Sequence, residues 1–381
     1  MKPQELRAEL ARAVLMHGPI SRTELADRLQ LSQPSLTRLS KPYLDAGLFI
    51  ELDAQPDGSV GRPTRPLDIR RDAARIVGVK LTGEAAIGVL TDLRADVLSV
   101  QERPLPSHEV AEVVAEVAAL VSALAAGGER PAGLGVTVGG RVARDRLVTR
   151  APFLGWRDVE LADLLEEATG IPTVVENDVV GLTEAEHWFG LARGLADFSL
   201  ITIGVGVGYG LVVHDRVVST PDTGLGLGGH IPLDPAGPRC FEGHPGCTTA
   251  MLSIPSIEAQ AAAALGRSTP YEEVLELAHD DGSPVAPIVH RAAWALGRLM
   301  GLSANLTMQP VIVLSGDGIA LWEHESERVL ASLRADRDPE ALPVEVRVDT
   351  SGFEAWSRGA AALAIQSYLG ARSTGAMLHT A

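Results

Sequence analysis

The chain has 381 residues, of which 46% are hydrophobic and 22% charged, a composition typical of globular rather than disordered proteins. This length predicts two or three domains. No apolar run reaches the roughly 20 residues that a membrane-spanning helix needs, so no membrane partner is expected. Two cysteines are too few for a disulfide framework. Together with the polar N-terminal segment they predict a cytoplasmic protein.

The formal net charge of −16 argues against a protein that coats nucleic acid, but the charge is unevenly distributed. Residues 1–71 carry 11 Lys and Arg against 9 Asp and Glu, whereas the remaining chain carries 22 against 40. A near-neutral head on an acidic body is typical of a protein that touches DNA at one end only. Sampling variation in a short segment would give the same numbers, so charge alone does not decide.

The first seventy residues show the pattern of three short helices. An apolar stripe over residues 6–14 predicts the first helix, which Gly18-Pro19 ends. Ser21 followed by Glu24 predicts a capping box at the start of the second helix. Ser32 predicts the N-cap of the third. This order, with a tight turn between the last two helices, is typical of a helix-turn-helix.

In such a motif the third helix meets base edges and its cations meet phosphates. Pro42 predicts a kink or restart within that helix. Two short strands at 48–50 and 67–69 enclose a turn-rich basic stretch, which predicts a wing. A three-helix packing module without a nucleic-acid role is the alternative. The predicted DNA-contacting residues are Gln33, Ser35, Thr37, Arg38, Lys41, Arg62 and Arg65.

From Arg75 onward, strand and helix patterns alternate, which predicts an α/β fold. Glycines at strand ends favour nucleotide-style crevices, although a tight hairpin also needs glycine. The predicted strands are RIVGVKLT, AAIGVLTD, VLSVQERP, GLGVTV, PTVVEND, the hairpin LITIGVGVGYGLVVHD, and VIVLSG. The predicted helices lie at about 108–126, after PTVVEND, near 285–308, and at 353–370.

These features together resemble the ROK family of bacterial sugar kinases and transcriptional repressors. The winged helix, Glu176-Asn177-Asp178, IGVGVGYG at 203–210, and a Gly-His followed by spaced cysteines carry the resemblance over essentially the whole chain. It implies a winged helix-turn-helix domain at 1–71 and a two-lobed actin-like ATPase (sugar kinase-like) domain at 72–381. The lobes are expected at 72–180 with the closing helix 353–371, and at 181–352.

The resemblance further implies that the kinase chemistry is lost. Family kinases carry Asp-x-Gly in the first strand turn, where the Asp helps to hold magnesium and phosphates; here Lys80 and Thr82 occupy those two positions. Val205 stands where the second phosphate loop has a threonine hydroxyl. Phosphoryl transfer depends on metal, positioning and electrostatics. We therefore expect no ATP cofactor and no enzymatic activity.

The same resemblance implies a partly retained sugar site. Asn177 and Asp178 keep the family's hydroxyl-binding pair, and His230 matches the family histidine beside it, so these three are the expected ligand-binding residues. Without phosphoryl transfer, Asp178 would serve as a hydrogen-bond acceptor. Leu227 and Thr249 replace two sugar-binding glutamates, which predicts a lower affinity or a different ligand. The alternative is an empty cleft in which Asp178 only caps the following helix.

The loop that holds both cysteines implies a structural zinc site. His230, Cys240 and Cys247 stand at the family's ligand spacing, and Glu242 occupies the position of its remaining cysteine. Zinc accepts nitrogen, sulfur and oxygen ligands in a tetrahedral arrangement. His244 is an alternative fourth ligand, and a decayed site with two free thiols is the other possibility.

The sequence thus predicts a DNA-binding transcriptional regulator, in the first place a repressor, of carbohydrate-related genes. Its partners would be a double-stranded operator, a sugar-like effector and further copies of the chain in a dimer or tetramer. Two alternatives stay open: an active sugar kinase with a DNA-binding head, and a ligand-independent regulator controlled by a protein partner.

Overall fold

The computed structural model describes residues 3–53 and 65–373, which divide into two compact units. The first unit contains the described residues up to Gly194 and those from Glu354 onward; the second is Leu195–Phe353. No helix among the described residues is long and apolar enough to cross a membrane.

The first unit holds, before Gly194, α1 (Pro3–His17), α2 (Arg22–Arg28), α3 (Gln33–Asp45), β1 (Phe49–Glu51), β2 (Leu67–Ile69), β3 (Ile76–Leu81), β4 (Ala85–Thr91), β5 (Val97–Pro104), α4 (Val110–Leu124), β6 (Gly133–Val138), β7 (Arg141–Ala143), β8 (Leu147–Ala151), β9 (Trp156–Val159), α5 (Leu161–Thr169), β10 (Thr173–Asn177) and α6 (Asp178–Trp188). The rest of the chain holds β11 (Phe198–Ile203), β12 (Val207–Val213), β13 (Arg216–Val217), α7 (Thr248–Leu252), α8 (Ile254–Leu265), α9 (Tyr271–Leu277), α10 (Ala286–Thr307), β14 (Val311–Ser315), α11 (Ala320–Ala335), β15 (Glu345–Val348) and α12 (Phe353–Ser373).

The N-terminal module begins each of its second and third helices at a hydroxyl cap, as expected. The Ser21 Oγ accepts the backbone N–H of Glu24 at 3.1 Å, and the Ser32 Oγ accepts that of Ser35 at 3.4 Å. These bonds satisfy donors that a helix start leaves free, so α2 and α3 begin where the sequence predicts.

The third helix does not restart at Pro42, so that part of the prediction is wrong. Pro42 lies inside α3, which continues to Asp45. Less than one turn follows the proline, and Tyr43 stabilises it by stacking on Phe49 with ring centroids 4.6 Å apart. The missing N–H therefore costs a single hydrogen bond near the helix end.

The wing strands are also present. Strands β1 and β2 pair antiparallel, and Ile20 adds a further bridge to Leu67 through two backbone hydrogen bonds of 2.8 and 3.0 Å. The connection at 54–64, including Arg62, lies outside the described residues.

The central sheet of the first unit has the order β10-β6-β3-β4-β5 among the described strands. Strands β10, β6 and β3 are parallel, whereas β3, β4 and β5 pair antiparallel. The closing helix α12 crosses this sheet in direct contact. A Cβ on Gly135 of β6 would lie 1.8 Å from the Ala360 carbonyl oxygen, so only glycine permits this approach.

A smaller antiparallel sheet, β7-β8-β9, follows the carboxyl end of β6. A 3₁₀ turn at Pro152–Leu154 connects β8 to β9 and ends at Gly155, whose φ is +69°. This small sheet lies next to the carboxyl end of β10. Asn177, the last residue of β10, donates a hydrogen bond of 2.8 Å to the Gly140 carbonyl, directly before β7.

The second unit has its own sheet, with the order β13-β12-β11-β14-β15 in the described chain. The β11–β12 hairpin and the β14 strand were predicted, and the helix near 285–308 is α10. Helices α10 and α11 pack closely, since a Cβ on Gly297 would lie 2.2 Å from the Val329 carbonyl oxygen.

The observed division at Gly194 falls later than the lobe boundary expected at 180/181. The reason is that α6 packs into the first unit. A Cβ on Gly181 would lie 2.8 Å from Thr137 of β6 and 3.4 Å from the backbone of Gly359 in α12. Helix α6 therefore belongs with the sheet that precedes it.

A boundary at 71/72 would make the N-terminal module a compact unit of its own. In the structure, the module instead belongs to the first unit. Its buried residues join a core that continues into the first unit. That core includes Ile76 of β3, Trp188 of α6 and Tyr368 of α12. The orientation of the module on the first unit is therefore fixed by apolar packing.

Candidate functional site

The exposed face of α3 carries most of the residues predicted to touch DNA. Gln33, Thr37, Arg38 and Lys41 are exposed, and the Lys41 ammonium lies 3.1 Å from the Asp45 carboxylate. Ser35 differs: it is half-buried, and its backbone N–H and hydroxyl both bond the Ser32 hydroxyl. Ser35 therefore completes the helix cap and is not free to read a base.

The described part of the wing adds one exposed cation. Arg65 lies 3.8 Å from Glu51, which also binds Arg22 at 2.5 Å. Arg22 donates a further bond of 3.4 Å to the Arg65 carbonyl oxygen. Sequence reasoning did not single out Arg22, which links the start of α2 to the wing and so sets their spacing.

Two arginines attach this module to the first unit at the end of α1. Arg94, in the turn after β4, donates to the Leu15 and Gly18 carbonyls and forms a buried ion pair with Asp68 of β2. Arg193 donates to the Met16 carbonyl at 2.7 Å and to the Gly18 carbonyl at 3.0 Å. These bonds satisfy carbonyls that a helix end leaves free. No local sequence pattern indicated this role for either arginine.

A buried ion pair occupies the carboxyl end of β3. The Lys80 ammonium bonds Oδ2 of Asp178, and the two side chains are only 8% and 15% exposed. The same ammonium lies 5.1 Å from the centre of the Trp356 ring, in cation–π geometry. Asp178 is thus neutralised by the residue that stands where family kinases carry a metal-side carboxylate.

Asn177, not Asp178, is the N-cap of α6. Its Oδ1 accepts the backbone N–H groups of Val179 and Val180 at 3.0 and 3.2 Å, while its amide donates to the Gly140 carbonyl. The alternative in which Asp178 caps this helix is therefore wrong, because Asn177 fills the cap position. Asp178 Oδ1 accepts a bond of 2.9 Å from Val179, so its carboxylate is held in one orientation.

Two turns occupy the positions that the resemblance matches to phosphate loops, and hydrogen bonds among their own residues close both. Thr82 accepts the backbone N–H groups of Glu84 and Ala85 at 3.1 and 2.9 Å, forming a tight turn after β3. In the second unit the Gly204 N–H bonds the Gly206 carbonyl at 2.9 Å, and Val205 between them is 59% exposed. The Thr82 hydroxyl is thus engaged within its own turn, and Val205 carries no hydroxyl.

Four side chains in the second unit converge on one point. His230, Cys240, His244 and Cys247 each place a ligand atom within 4.8 Å of the others. The Nδ1 of His230 lies 3.7 Å from each of the two sulfurs. Tetrahedral zinc bonds of about 2.3 Å to sulfur and 2.0–2.1 Å to nitrogen would separate such atoms by about 3.6 Å, so the geometry fits.

The fourth member of this cluster is His244, and Glu242 is not one of the four. The physical reason lies in a tight turn closed by the Gly243 N–H to the Cys240 carbonyl at 2.9 Å and the Cys240 N–H to the His244 carbonyl at 3.1 Å. This turn brings the Glu242 backbone, instead of its carboxylate, to the Cys240 sulfur.

The two thiols differ in acidity. Burial opposes ionisation of Cys240, but hydrogen bonds from the His244 backbone and from Cys247 together bring its pKa below the ordinary value. Burial raises the pKa of Cys247. Both cysteines are free thiols, so both are available as ligands.

Two threonine hydroxyls hold the loop that carries His230, and one of them, Thr249, stands where the resemblance expects a glutamate. Thr249 donates to the Gly229 carbonyl at 2.7 Å, and Thr248 donates to the Gly228 carbonyl at the same distance. Leu227 is 66% exposed. His230 lies in the second unit, whereas Asn177 and Asp178 lie in the first.

The carboxylic acid of Glu176, near the end of β10, has a strongly raised pKa. Burial raises the pKa of Glu176 to about 7, and the neighbouring Asp145 carboxylate adds to the shift. A bond of 2.6 Å from the Asn177 backbone N–H opposes it. Asp145 lies in the turn between β7 and β8, and its carbonyl accepts the Val175 N–H at 2.8 Å, which holds this turn beside β10.

Comparison with known proteins gives consistent matches. The sequence profile of the ROK family matches residues 76–367. The DNA-binding transcriptional repressor Mlc of Escherichia coli is 26% identical over 246 residues, 63% of this chain and 61% of that protein. The Xylose repressor of Bacillus spizizenii is 22% identical and covers 94% of both. The crystal structure of a ROK family transcriptional regulator, a homolog of E. coli MLC protein, has a TM-score of 0.79 at 24% identity, covering 99% of this chain and 98% of its own.

The Glu176 pKa predicts a pH-dependent stability. Because the folded pKa lies above the ordinary 4.5, folding favours the protonated acid, so its stabilisation is complete below pH 4.5 and is lost as the pH rises through about 7. We expect Glu176→Gln to remove a decline of roughly 3 kcal/mol in the free energy of unfolding between pH 5 and pH 8. Urea unfolding at both pH values measures this, with the exposed Glu167→Gln as the control. An equal decline in wild type and Glu176→Gln would contradict the assignment.

Proposed function

The chain belongs to the ROK family, and from this membership we propose that it is a DNA-binding transcriptional repressor whose kinase-like domain senses a sugar-like ligand without phosphorylating it. The observation that carries the proposal is the winged helix-turn-helix on the first unit, with Arg38 and Lys41 exposed on its third helix. A kinase needs no such module. The names of the matched relatives, Mlc and the Xylose repressor, support the same function.

DNA recognition would follow the usual division of labour in such modules. Gln33 and Thr37 near the start of α3 would meet base edges, while Arg38, Lys41 and Arg65 would meet phosphates. A repressor of this kind reads two half-sites, so we propose a homodimer or a tetramer. The site of action would be the cytoplasm.

Loss of phosphoryl transfer is supported by the Lys80–Asp178 ion pair. The Lys80 ammonium already occupies one acceptor site of the carboxylate that would serve as the general base, so a sugar hydroxyl would meet only the sites that remain. Lys80 also removes the carboxylate that would hold a metal ion. Asp178 can still accept a hydroxyl hydrogen bond, so ligand binding without chemistry is the expected outcome.

Coupling between ligand and DNA would pass through the chain crossings between the two units. The chain leaves the first unit after Gly194, and the preceding residue, Arg193, donates a hydrogen bond to the Met16 carbonyl at the end of α1. It returns at Glu354, one turn before Arg358, which donates to the Ala95 carbonyl at 2.9 Å, next to Arg94. A change of hinge angle would therefore act on residues bound to the DNA-reading module.

We further propose that His230, Cys240, His244 and Cys247 hold a structural zinc ion. Two imidazoles and two thiolates are a ligand set that zinc accepts in closed, four-coordinate sites. The ion would order the loop that carries His230 and would take no part in a reaction.

The operator prediction tests the proposed function. Genomic footprinting supplies the bound sequences, and fluorescence anisotropy then measures affinity for a labelled fragment against random competitor DNA. We expect specific binding in wild type and a roughly 10- to 100-fold loss in Arg38→Ala. Arg157→Ala, an exposed arginine of β9, is the matched control and should bind like wild type. Absence of sequence preference in wild type would refute the proposal.

The zinc prediction concerns the fourth ligand. Metal analysis of the purified protein should give about one zinc per chain. His244→Ala should lose most of the metal and lower the melting temperature, and a chelator should lower that of wild type. Glu242→Ala is the control and should retain the metal. Loss of zinc in Glu242→Ala with retention in His244→Ala would reverse the assignment.

A further inference from the structure

An exposed aromatic ring stands beside Asp178. Phe153 lies in the 3₁₀ turn between β8 and β9, where its neighbours Leu154 and Trp156 are buried. The indole N–H of Trp156 donates to the His108 carbonyl at 2.6 Å, which anchors the hairpin. Phe153 itself is 56% exposed. The buried side chains of Leu154 and Trp156 thus hold the turn in place, while the phenyl ring of Phe153 remains in contact with solvent.

The ring and the carboxylate face the same point. An ideal Cβ on Gly139, at the carboxyl end of β6, would lie 3.2 Å from Cδ2 of Phe153 and 3.3 Å from Oδ2 of Asp178. The Phe153 backbone also approaches the turn after β3, because a Cβ on Gly83 would lie 3.3 Å from its carbonyl oxygen. The hairpin therefore places the ring between the former phosphate turn and the residue that would bind a hydroxyl.

Asp178 keeps the capacity to bind a hydroxyl in this position. Its Oδ1 accepts one backbone N–H and its Oδ2 accepts the Lys80 ammonium, but each carboxylate oxygen carries a second acceptor site. Both existing bonds hold the carboxylate in a fixed orientation. The acceptor sites that remain on it can therefore bind a ligand hydroxyl.

Ligand sites combine apolar or aromatic surface with a few fixed polar groups that set orientation. A sugar ring matches that combination, because it presents C–H groups on one face and hydroxyls around its rim. We infer that Phe153 is a ligand-binding residue that stacks on the C–H face of a sugar ring while Asp178 binds a hydroxyl of the same ring. This inference rests on the proposed function and adds the residue that selects for a ring with an unobstructed apolar face.

The test compares Phe153→Ala, Phe153→Trp and the control Leu164→Ala, a partly exposed apolar residue of α5. The probes are D-glucose, D-xylose and N-acetyl-D-glucosamine, each titrated into the full chain by calorimetry. We expect wild type and Leu164→Ala to bind at least one of them alike. Phe153→Ala should bind it about tenfold more weakly, through loss of the stacked ring.

The tryptophan variant adds a fluorescence measurement that would not respond to the sugar if residue 153 only stabilised the hairpin. Phe153→Trp should bind the same sugar, and saturation should shift its tryptophan emission relative to wild type. Unchanged affinity in Phe153→Ala, unchanged emission in Phe153→Trp, or absence of binding to all three sugars in wild type overturns the inference. Operator binding by the Arg38 experiment is measured without sugar, so failure of this inference is distinguishable from failure of DNA recognition.

Discussion

The buried ion pair between Lys80 and Asp178 fixes what the carboxyl ends of the parallel strands can do. Removing one member of a buried pair leaves an unpaired charge and costs about 3–5 kcal/mol, so the two residues constrain each other. Together with the backbone N–H of Val179, the pair holds the Asp178 carboxylate in one orientation. Asn177, the tight turn at Thr82 and the exposed ring of Phe153 are all arranged around that neutral pair. Under the proposed function, such a site would bind a ligand without transferring a proton.

The first unit uses the two ends of its sheet for different purposes. The residues that we propose to bind the ligand lie at the carboxyl ends of β3, β6 and β10, where parallel α/β sheets generally bind ligands. At the opposite end of β3, the core around Ile76 continues into the N-terminal module. Arg94 and Arg193 reinforce that junction with hydrogen bonds to backbone carbonyls. Under the proposed function, this sheet would connect the ligand-binding region to the DNA-reading module, and Arg193 would belong to that connection.

Local chemistry explains which features the sequence predicts. A cap is decided by neighbours within four residues, so Ser21 and Ser32 could be assigned from spacing alone. Motifs and hydrophobic patterns along the chain likewise predicted the family, the order of strands and helices, and the cysteine loop. Long-range contacts could not. The choice of His244 over Glu242 depends on how a turn folds back on itself. The roles of Lys80 and Arg94 depend on partners 98 and 26 residues away.

The central claim is that a kinase-like domain has become a sensor that performs no phosphoryl transfer. The most direct measurement is ADP release by the purified full-length protein with magnesium-ATP and each of several hexoses and pentoses, followed in a coupled assay. The account predicts no sugar-dependent ADP release above the rate without protein, because Lys80 and Val205 have replaced the groups that hold metal and phosphate. Sustained sugar-dependent turnover would contradict it.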